Sequence, residues 1–216
     1  TYLKNENVVN GVICSDFAKE IGFENGDRII AVDGLSINRF SDINKDMVLR
    51  DESFVVDVVR NESLERVKIG NNFIKHWKNS GKEMLFMPRS LVQVGYVSEN
   101  SFSEKAGIEP GDMLMSVNGV STRYFDEFRE ELLKNKSKII TIGFDRDGFN
   151  NKVEVEVSEN GTIGFSLDNN LELSVEKFSF FESFPAGYNL AITRLGEYIS
   201  QFVLIFNADN DLASEM

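Results

Sequence analysis

The sequence predicts an α+β fold made of two small β-barrel or β-sandwich domains in tandem, followed by a C-terminal amphipathic helix. Two observations lead to this prediction: a gapless internal repeat, and a helical apolar pattern near the end of the chain. We expect the first domain over residues 1–90, the second over 91–178, the helical segment over 179–206 and a disordered tail over 207–216.

The repeat consists of identical or similar residues that recur 85 positions later, as Gly22 and Gly107 do. The same offset gives the following pairs: Phe17 with Phe102, Gly26 with Gly111, Asp27 with Asp112, Val32 with Val117, Gly34 with Gly119, and Phe40 with Phe125. Two copies are too few to build a solenoid, so the repeat predicts two small domains of the same fold.

Each copy opens with a short helix. The helix is expected to start at a polar cap, Ser15 or Asn100, whose side chain can accept a hydrogen bond from the first turn. It is expected to stop at Gly22 or Gly107, because a helix end often needs a left-handed residue. Asp27 and Asp112 then follow in a turn, where a turn-forming role is favoured over catalysis.

Strands and a second helix follow in each copy. Strands over residues 28–32 and 113–117 end at Asp-Gly and Asn-Gly pairs, which are typical of tight hairpins. The second helix starts near Ser41 or Asp126 and carries these apolar residues: Ile43, Met47 and Val48 in the first copy, and Phe128, Leu132 and Leu133 in the second. Further strands are expected over residues 53–60, 64–69 and 84–87, and over 138–144, 152–157 and 161–167, with a loop over 71–82.

The end of the chain has a different pattern. Its apolar residues step by four and three positions: Tyr188, Ile192, Leu195, Ile199 and Phe202. This spacing is typical of an amphipathic helix, and Pro185 suits its first turn. The polar residues between them make the segment too hydrophilic for a transmembrane span.

Charge and rare residues exclude several functions. The chain has 35 acidic and 23 basic residues, a net charge of −12, whereas a nucleic-acid binder needs a basic surface. His76 is the only histidine and Cys14 the only cysteine, so a His/Cys zinc site and an intrachain disulfide are excluded or nearly so. We expect no catalytic residue, metal or cofactor in this chain, and its start at Thr1 suggests a fragment or a processed form.

The repeated motif is nearly intact in the second copy, where it consists of Ser103, Ala106-Gly107-Ile108, Gly111-Asp112, Leu114 and Val117-Asn118-Gly119. This motif resembles the PDZ domain in its bacterial, circularly permuted form. The first copy departs from it at Ile21, where the family usually has alanine. The resemblance covers roughly residues 8–90 and 91–175.

The PDZ resemblance implies a groove between a sheet edge and a helix, where a peptide adds a strand and a loop of backbone N–H groups receives its carboxylate. For the second copy it implies the residues Gly161, Thr162, Ile163, Gly164, Phe165, Phe125, Phe128 and Leu132, with the carboxylate loop at 160–162. For the first copy it implies Leu85, Phe86, Met87, Ile43 and Met47, with the loop at 81–83. A plain core position is the alternative for each apolar helix residue.

The order of segments resembles one family in particular. Two adjacent copies followed by F-x-x-x-x-P-x-G and Y-I-x-Q-F, within residues 180–206, are similar to the periplasmic region of a bacterial site-2 protease. Such proteins, of the regulator of sigma-E type, are intramembrane zinc metalloproteases that cut membrane-anchored anti-sigma factors. The resemblance implies a place at the periplasmic face of the inner membrane, with a protein substrate or a peptide C terminus as the partner.

The zinc motif of that family, H-E-x-x-H, needs two histidines, and this chain has one. The resemblance therefore implies a non-catalytic region, with zinc bound in another part of the full-length protein. Exclusion of bulky substrates and capture of an exposed C terminus both remain open. Two alternative functions are a free-standing PDZ adaptor or secretion scaffold, and the regulatory PDZ pair of a periplasmic serine protease.

Overall fold

The computed structural model describes residues 1–48, 50, 52–81, 84–168 and 171–175, and several single residues between 179 and 195. Leu3–Glu172 forms one compact unit, and the other described residues belong to a second. Both sequence repeats lie in the first of these units.

The helices and strands follow the repeat. The first repeat comprises β1 (Tyr2–Leu3), a 3-10 turn (Asn5–Asn7), β2 (Val12–Cys14), α1 (Asp16–Glu20), β3 (Arg28–Val32), β4 (Leu35–Ser36), α2 (Asp42–Val48), β5 (Phe54–Arg60), β6 (Ser63–Ile69), α3 (Phe73–Asn79) and β7 (Phe86–Pro88). The second comprises β8 (Val94–Val97), α4 (Phe102–Lys105), β9 (Met113–Val117), β10 (Val120–Ser121), α5 (Phe125–Lys134), β11 (Ile139–Arg146), β12 (Phe149–Glu156) and β13 (Phe165–Leu167). β14 (Leu173–Ser174) comes after it.

The two repeats have the same order of strands. A four-stranded antiparallel sheet runs β4-β3-β5-β6 in the first repeat and β10-β9-β11-β12 in the second. A two-stranded sheet pairs β2 with β7 in the first and β8 with β13 in the second. The predicted α+β class agrees with this mixture of strands and short helices, and the predicted domain boundaries stay a prediction.

Each repeat has its own apolar core. In the first, Ile43 and Met47 of α2 are buried with Phe86 of β7. In the second, Phe128 of α5 is buried with Ile140 of β11. The second helix of each repeat therefore packs most of its apolar stripe into this core, although Leu133 is 41% exposed, and burial of the whole core is the main favourable contribution to folding.

The Asp-Gly and Asn-Gly hairpin turns form as predicted. Asp33 and Gly34 have φ angles of 48° and 74°, and Asn118 and Gly119 have 50° and 83°. The Asp33 side chain also accepts a hydrogen bond from the N–H of Val55 at 2.8 Å, which ties the turn to the neighbouring strand. Asn118 makes the equivalent bond in the second repeat.

Two local predictions are wrong. The expected loop over 71–82 contains α3, because Phe73 packs against Phe17 and Phe54 with ring centroids 5.9 and 5.5 Å away. In the second repeat the cap of α4 is Ser101, whose Oγ accepts the N–H of Glu104 at 3.1 Å. Asn100 instead takes a left-handed conformation, with φ 59°.

A buried aspartate holds the same turn in both repeats. Asp112 is 1% exposed, and its carboxylate accepts two hydrogen bonds from the Arg146 guanidinium, at 2.6 and 2.7 Å. It also accepts the N–H of Glu109 at 2.9 Å. Asp27 and Arg60 form the same fork in the first repeat, with two bonds of 2.7 Å. Both aspartates are thus structural, in agreement with their expected role in turns.

We predict that Asp112→Asn destabilises the second repeat by about 2–4 kcal/mol, because it removes the buried charge of the two-bond fork and leaves Arg146 its exposed ion pair with Glu109. Urea unfolding followed by circular dichroism measures the loss. Asp147→Asn is the matched control, because Asp147 lies in an exposed hairpin turn and Asn tolerates its φ of 54°. Equal stabilities of the two variants would contradict the structural role of Asp112.

Cys14 lies inside the core of the first repeat. Burial raises the pKa of its thiol to about 12, and the nearby Asp27 carboxylate adds to the rise. An unfolded thiol ionises at about pH 8.5. The contribution of Cys14 to the free energy of unfolding is therefore fully present below that pH and is lost as the pH rises towards 12. The structure thus agrees with the expectation of a small buried apolar side chain.

We predict that iodoacetamide fails to label Cys14 in the native protein at about pH 8 but labels it rapidly after denaturation, because only the thiolate reacts. Mass spectrometry of the intact chain measures the labelled fraction. Rapid labelling under native conditions would show that the thiol is accessible and ionised.

The C-terminal segment is described only in part. Its described residues between 181 and 195 are helical, and these large apolar side chains are exposed: Phe181, Phe184, Tyr188, Ile192 and Leu195. Much of the predicted helix over 179–206 and all of the predicted tail over 207–216 lie outside the described residues, so both stay predictions. Within the described part of the chain, no helix is long and apolar enough to cross a membrane.

Candidate functional site

The second repeat has an open sheet edge. β13 pairs with β8 on one side, and no other described strand pairs with it. On its other side, the ring of Phe165 contacts the ring of Phe128 on α5, with centroids 5.9 Å apart in an edge-to-face arrangement. Strand β13 thus has an unpaired side and packs against α5, which is the arrangement that a peptide groove between them requires.

The hydrogen bonds to β8 show which backbone groups of β13 face the groove. The carbonyl of Gly164 accepts the N–H of Ser98 at 3.0 Å, and the N–H of Asp168 donates to the carbonyl of Gln93 at 2.8 Å. Because backbone groups alternate in direction along an antiparallel strand, those of Phe165 and Leu167 point to the open side.

The loop before β13 has N–H groups available for a ligand. Gly161 donates its N–H to the carbonyl of Ser158 at 3.0 Å, and Thr162 donates to the Ser158 hydroxyl at 3.0 Å. The N–H groups of Ile163 and Gly164 have no hydrogen-bond acceptor among the described residues, and neither has that of Asn160. The two adjacent available amides that lead into β13 are therefore those of Ile163 and Gly164, directly after the expected loop at 160–162.

Gly164 gives this loop its shape. Its φ is 91°, and a Cβ atom at this position would lie 2.3 Å from Cβ of Ser101. Successive N–H groups around a left-handed residue form a concave site for anions. The loop also lies close to the end of α5, because a Cβ at Gly161 would lie 2.8 Å from Leu133 and 3.4 Å from Cε of Lys136. Lys136 thus adds positive charge near the loop.

The predicted apolar residues divide into core and groove. Phe128, Leu132 and Ile163 are buried and belong to the core, as the alternative interpretation proposed. Phe125 and Phe165 are half-buried and retain exposed surface. Any apolar contact with a ligand would therefore come mainly from Phe125 and Phe165, with the buried residues beneath them.

The first repeat has a different edge strand. β7 pairs with β2, and the bonds from Ser15 N–H to the Leu85 carbonyl and from Arg89 N–H to the Gly11 carbonyl are both 2.9 Å. By the same alternation, Phe86 and Pro88 face the open side. Proline has no N–H, so this edge lacks the donor that Leu167 offers in the second repeat.

The loop before β7 also differs. Leu85 is the structural equivalent of Gly164. The Leu85 carbonyl accepts the N–H of Ser15 after β2, as the Gly164 carbonyl accepts the N–H of Ser98 after β8. Leu85 is not among the described residues with positive φ, and Lys82 and Glu83 lie outside those residues. Of the predicted groove residues, Leu85, Phe86, Ile43 and Met47 are buried, whereas Met87 is 52% exposed.

Sequence reasoning placed the groove strand of the second repeat over 163–167, which stays a prediction, and assigned no role to Lys136. It also did not use Pro88, although a proline inside a predicted strand is a visible sign of an edge without a donor. No metal site accompanies the groove, since the described residues contain no cluster of three or more potential metal ligands.

Comparison with known proteins gives a match within the second repeat. Residues 93–146 match a family model described as the PDZ domain. A crystal structure of the PDZ domain of the SdrC-like protein from Listeria monocytogenes is 20% identical and covers 37% of this chain and 90% of its own length. Its TM-score is 0.33, so this likeness carries no argument.

We predict that Gly164→Ala destabilises the second repeat by about 2 kcal/mol or more, because it adds a clash to an unfavourable φ. Gly148→Ala is the control: Gly148 has a similar φ of 82°, and a Cβ atom added there would have no other atom within 4 Å. Thermal unfolding of both variants measures the difference. Equal losses would mean that the contact with Ser101 imposes no constraint.

Proposed function

We propose that the second repeat binds the C-terminal end of a peptide in the groove between β13 and α5. One observation carries the proposal: the outward backbone groups of Phe165 and Leu167 continue directly from the available N–H groups of Ile163 and Gly164. An added strand would satisfy the first pair, and its terminal carboxylate the second.

The chemistry of the groove defines the ligand. The carboxylate meets backbone N–H groups with Lys136 nearby, and the last side chain meets the exposed parts of Phe125 and Phe165. An apolar C-terminal residue fits this surface. The net charge of −12 disfavours acidic peptides at long range, so affinity depends on the apolar contact and on the strand hydrogen bonds.

We also propose that the first repeat does not capture a peptide end. Pro88 removes one strand donor, and Leu85 stands where the second repeat uses a left-handed glycine. The groove expected at Leu85, Phe86, Met87, Ile43 and Met47 thus lacks two features that support binding in the second repeat.

Short peptides with a free apolar C terminus test the proposal. In NMR titrations of the full chain, we expect shifts at residues 161–168 and at Phe125, and no saturable shifts at 84–88. A C-terminally amidated peptide of the same sequence is the control, because it lacks the carboxylate. Equal binding of both peptides, or no binding of either, would contradict the proposal.

We predict that Leu167→Pro weakens peptide binding at least about tenfold, because it removes an outward N–H and reproduces the edge of the first repeat. Leu167→Ala is the matched control, because it shortens the side chain but keeps the N–H. Fluorescence anisotropy measures both affinities, and circular dichroism checks that both variants fold. Similar affinities would mean that the peptide does not pair with β13.

For the whole protein, we propose a place beside a membrane-embedded zinc protease of the site-2 type, at the periplasmic face of the bacterial inner membrane. The resemblance of residues 180–206 and the repeat before them support this. The H-E-x-x-H motif of such proteases needs two histidines and this chain has one, so we place the zinc in another segment of the full-length protein.

In that setting the groove would capture the apolar end left by an earlier cut in a membrane-anchored substrate. Exclusion of bulky substrates is the second candidate, and Pro88 favours it for the first repeat. Cleavage of a membrane-anchored substrate by the full-length protein, with and without Leu167→Pro, separates the two. Capture predicts slower cleavage by the variant, whereas exclusion predicts no change.

A further inference from the structure

The segment between the repeats lies against the start of α5. Arg89 follows β7 directly and donates hydrogen bonds to both carboxylate oxygens of Asp126, each at 2.9 Å. It also donates to Glu127 at 2.7 Å. Its guanidinium stacks on the ring of Tyr124, 3.8 Å from the centroid. One side chain thus contacts three positions around the first turn of α5, on both sides of Phe125.

This contact is well shielded from water. The Arg89 side chain is 11% exposed and that of Asp126 is 13% exposed. Asp126 also accepts a hydrogen bond at 3.0 Å from the side-chain amide of Asn25, which belongs to the first repeat. A two-bond fork in a shielded place fixes geometry more firmly than an exposed ion pair.

Backbone bonds complete the attachment. The N–H of Phe125 donates to the carbonyl of Ser90 at 3.0 Å, and Leu91 forms a β-bridge with Tyr124. On the other side, the N–H of Arg89 donates to the carbonyl of Gly11 in the first repeat at 2.9 Å. Arg89 is therefore held by its backbone in the first repeat and by its side chain in the second.

We propose that Arg89 is a positioning residue for the groove of the second repeat, and that the first repeat acts as a brace for α5. The side chains that Arg89 binds flank Phe125, which lines the groove, and precede Phe128, which contacts Phe165 of the edge strand. The spacing between α5 and β13 is thus set partly from outside the second repeat. This inference rests on the proposed peptide binding.

On this proposal the first repeat helps to position α5 although it binds no peptide itself. Its edge strand β7 ends at Pro88, immediately before Arg89, so the strand that cannot accept a ligand leads directly into the attachment of α5. A change in the first repeat would reach the groove through the segment 89–91.

Three variants of the full chain test this inference by anisotropy with the peptide that the wild type binds. We expect Arg89→Met to weaken binding about tenfold, as a coupling of this kind does. Arg89→Lys should fall between Arg89→Met and the wild type, because lysine keeps the charge but not the fork. Arg66→Met should bind as the wild type does, because Arg66 is exposed and pairs only with Asp57 among the interactions described.

A fourth variant separates positioning from general destabilisation. Phe73→Leu removes ring contacts with Phe17 and Phe54 in the first repeat but leaves the turn that carries Asn25 and the segment 89–91 unchanged, and urea unfolding gives its stability beside that of Arg89→Met. We expect Phe73→Leu to keep wild-type affinity at temperatures where it is folded, and Arg89→Met alone to shift the NMR signals of residues 124–128. Equal weakening by both variants would overturn the inference.

The remaining outcomes are also distinct. If the wild type binds and Arg89→Met binds equally well, the brace is wrong and the proposed function stands. If the wild type itself binds no peptide with a free C terminus, the proposed function fails, and the inference fails with it.

Discussion

The groove depends on one buried carboxylate that joins two sheets. The Asp112 side chain binds Arg146 of β11, while its backbone carbonyl accepts the N–H of Val94 in β8 at 2.9 Å. Asp112 therefore links the four-stranded sheet to the small sheet that carries β13, beside the bond from Gly111 N–H to the Val94 carbonyl at 2.7 Å. Removing its charge would leave Arg146 with its exposed ion pair to Glu109 and loosen the turn on which β8 rests. Asp27 makes the same connection in the first repeat, where Val12 donates to its carbonyl at 3.0 Å.

Short-range chemistry explains which parts of this fold the sequence could predict. The hairpins at Asp33-Gly34 and Asn118-Gly119 follow from φ preferences of two adjacent residues, and the helix stripes follow from spacing alone. The partner of Asp112 could not be predicted, because Arg146 is 34 residues away and nothing local marks it. The helix α3 was missed although Phe73 and Trp77 stand four residues apart, because the polar residues between and around them favoured a loop, and Phe73 is stabilised by aromatic rings distant in sequence.

The site residues stay predictions, and the use of each backbone donor in the loop could not be read from the sequence. Within the expected loop at 160–162, the Ser158 carbonyl and hydroxyl already accept the N–H groups of Gly161 and Thr162, whereas those of Ile163 and Gly164 have no acceptor among the described residues. A pattern of residue types does not show how a loop uses its own donors. The contacts of Arg89 could not be predicted from the sequence either, because they join residues of the first repeat to residues of the second.

Pro88 has a consequence for self-association. A molecule with two unpaired edge strands can pair with a neighbouring copy at each of them, and such repeated pairing builds filaments. Of the two small sheets, only that of the second repeat keeps every donor along its outer strand, so pairing of copies through these two edges would end at a dimer. The same proline that removes a docking place from the first repeat thus also limits self-association through the small sheets.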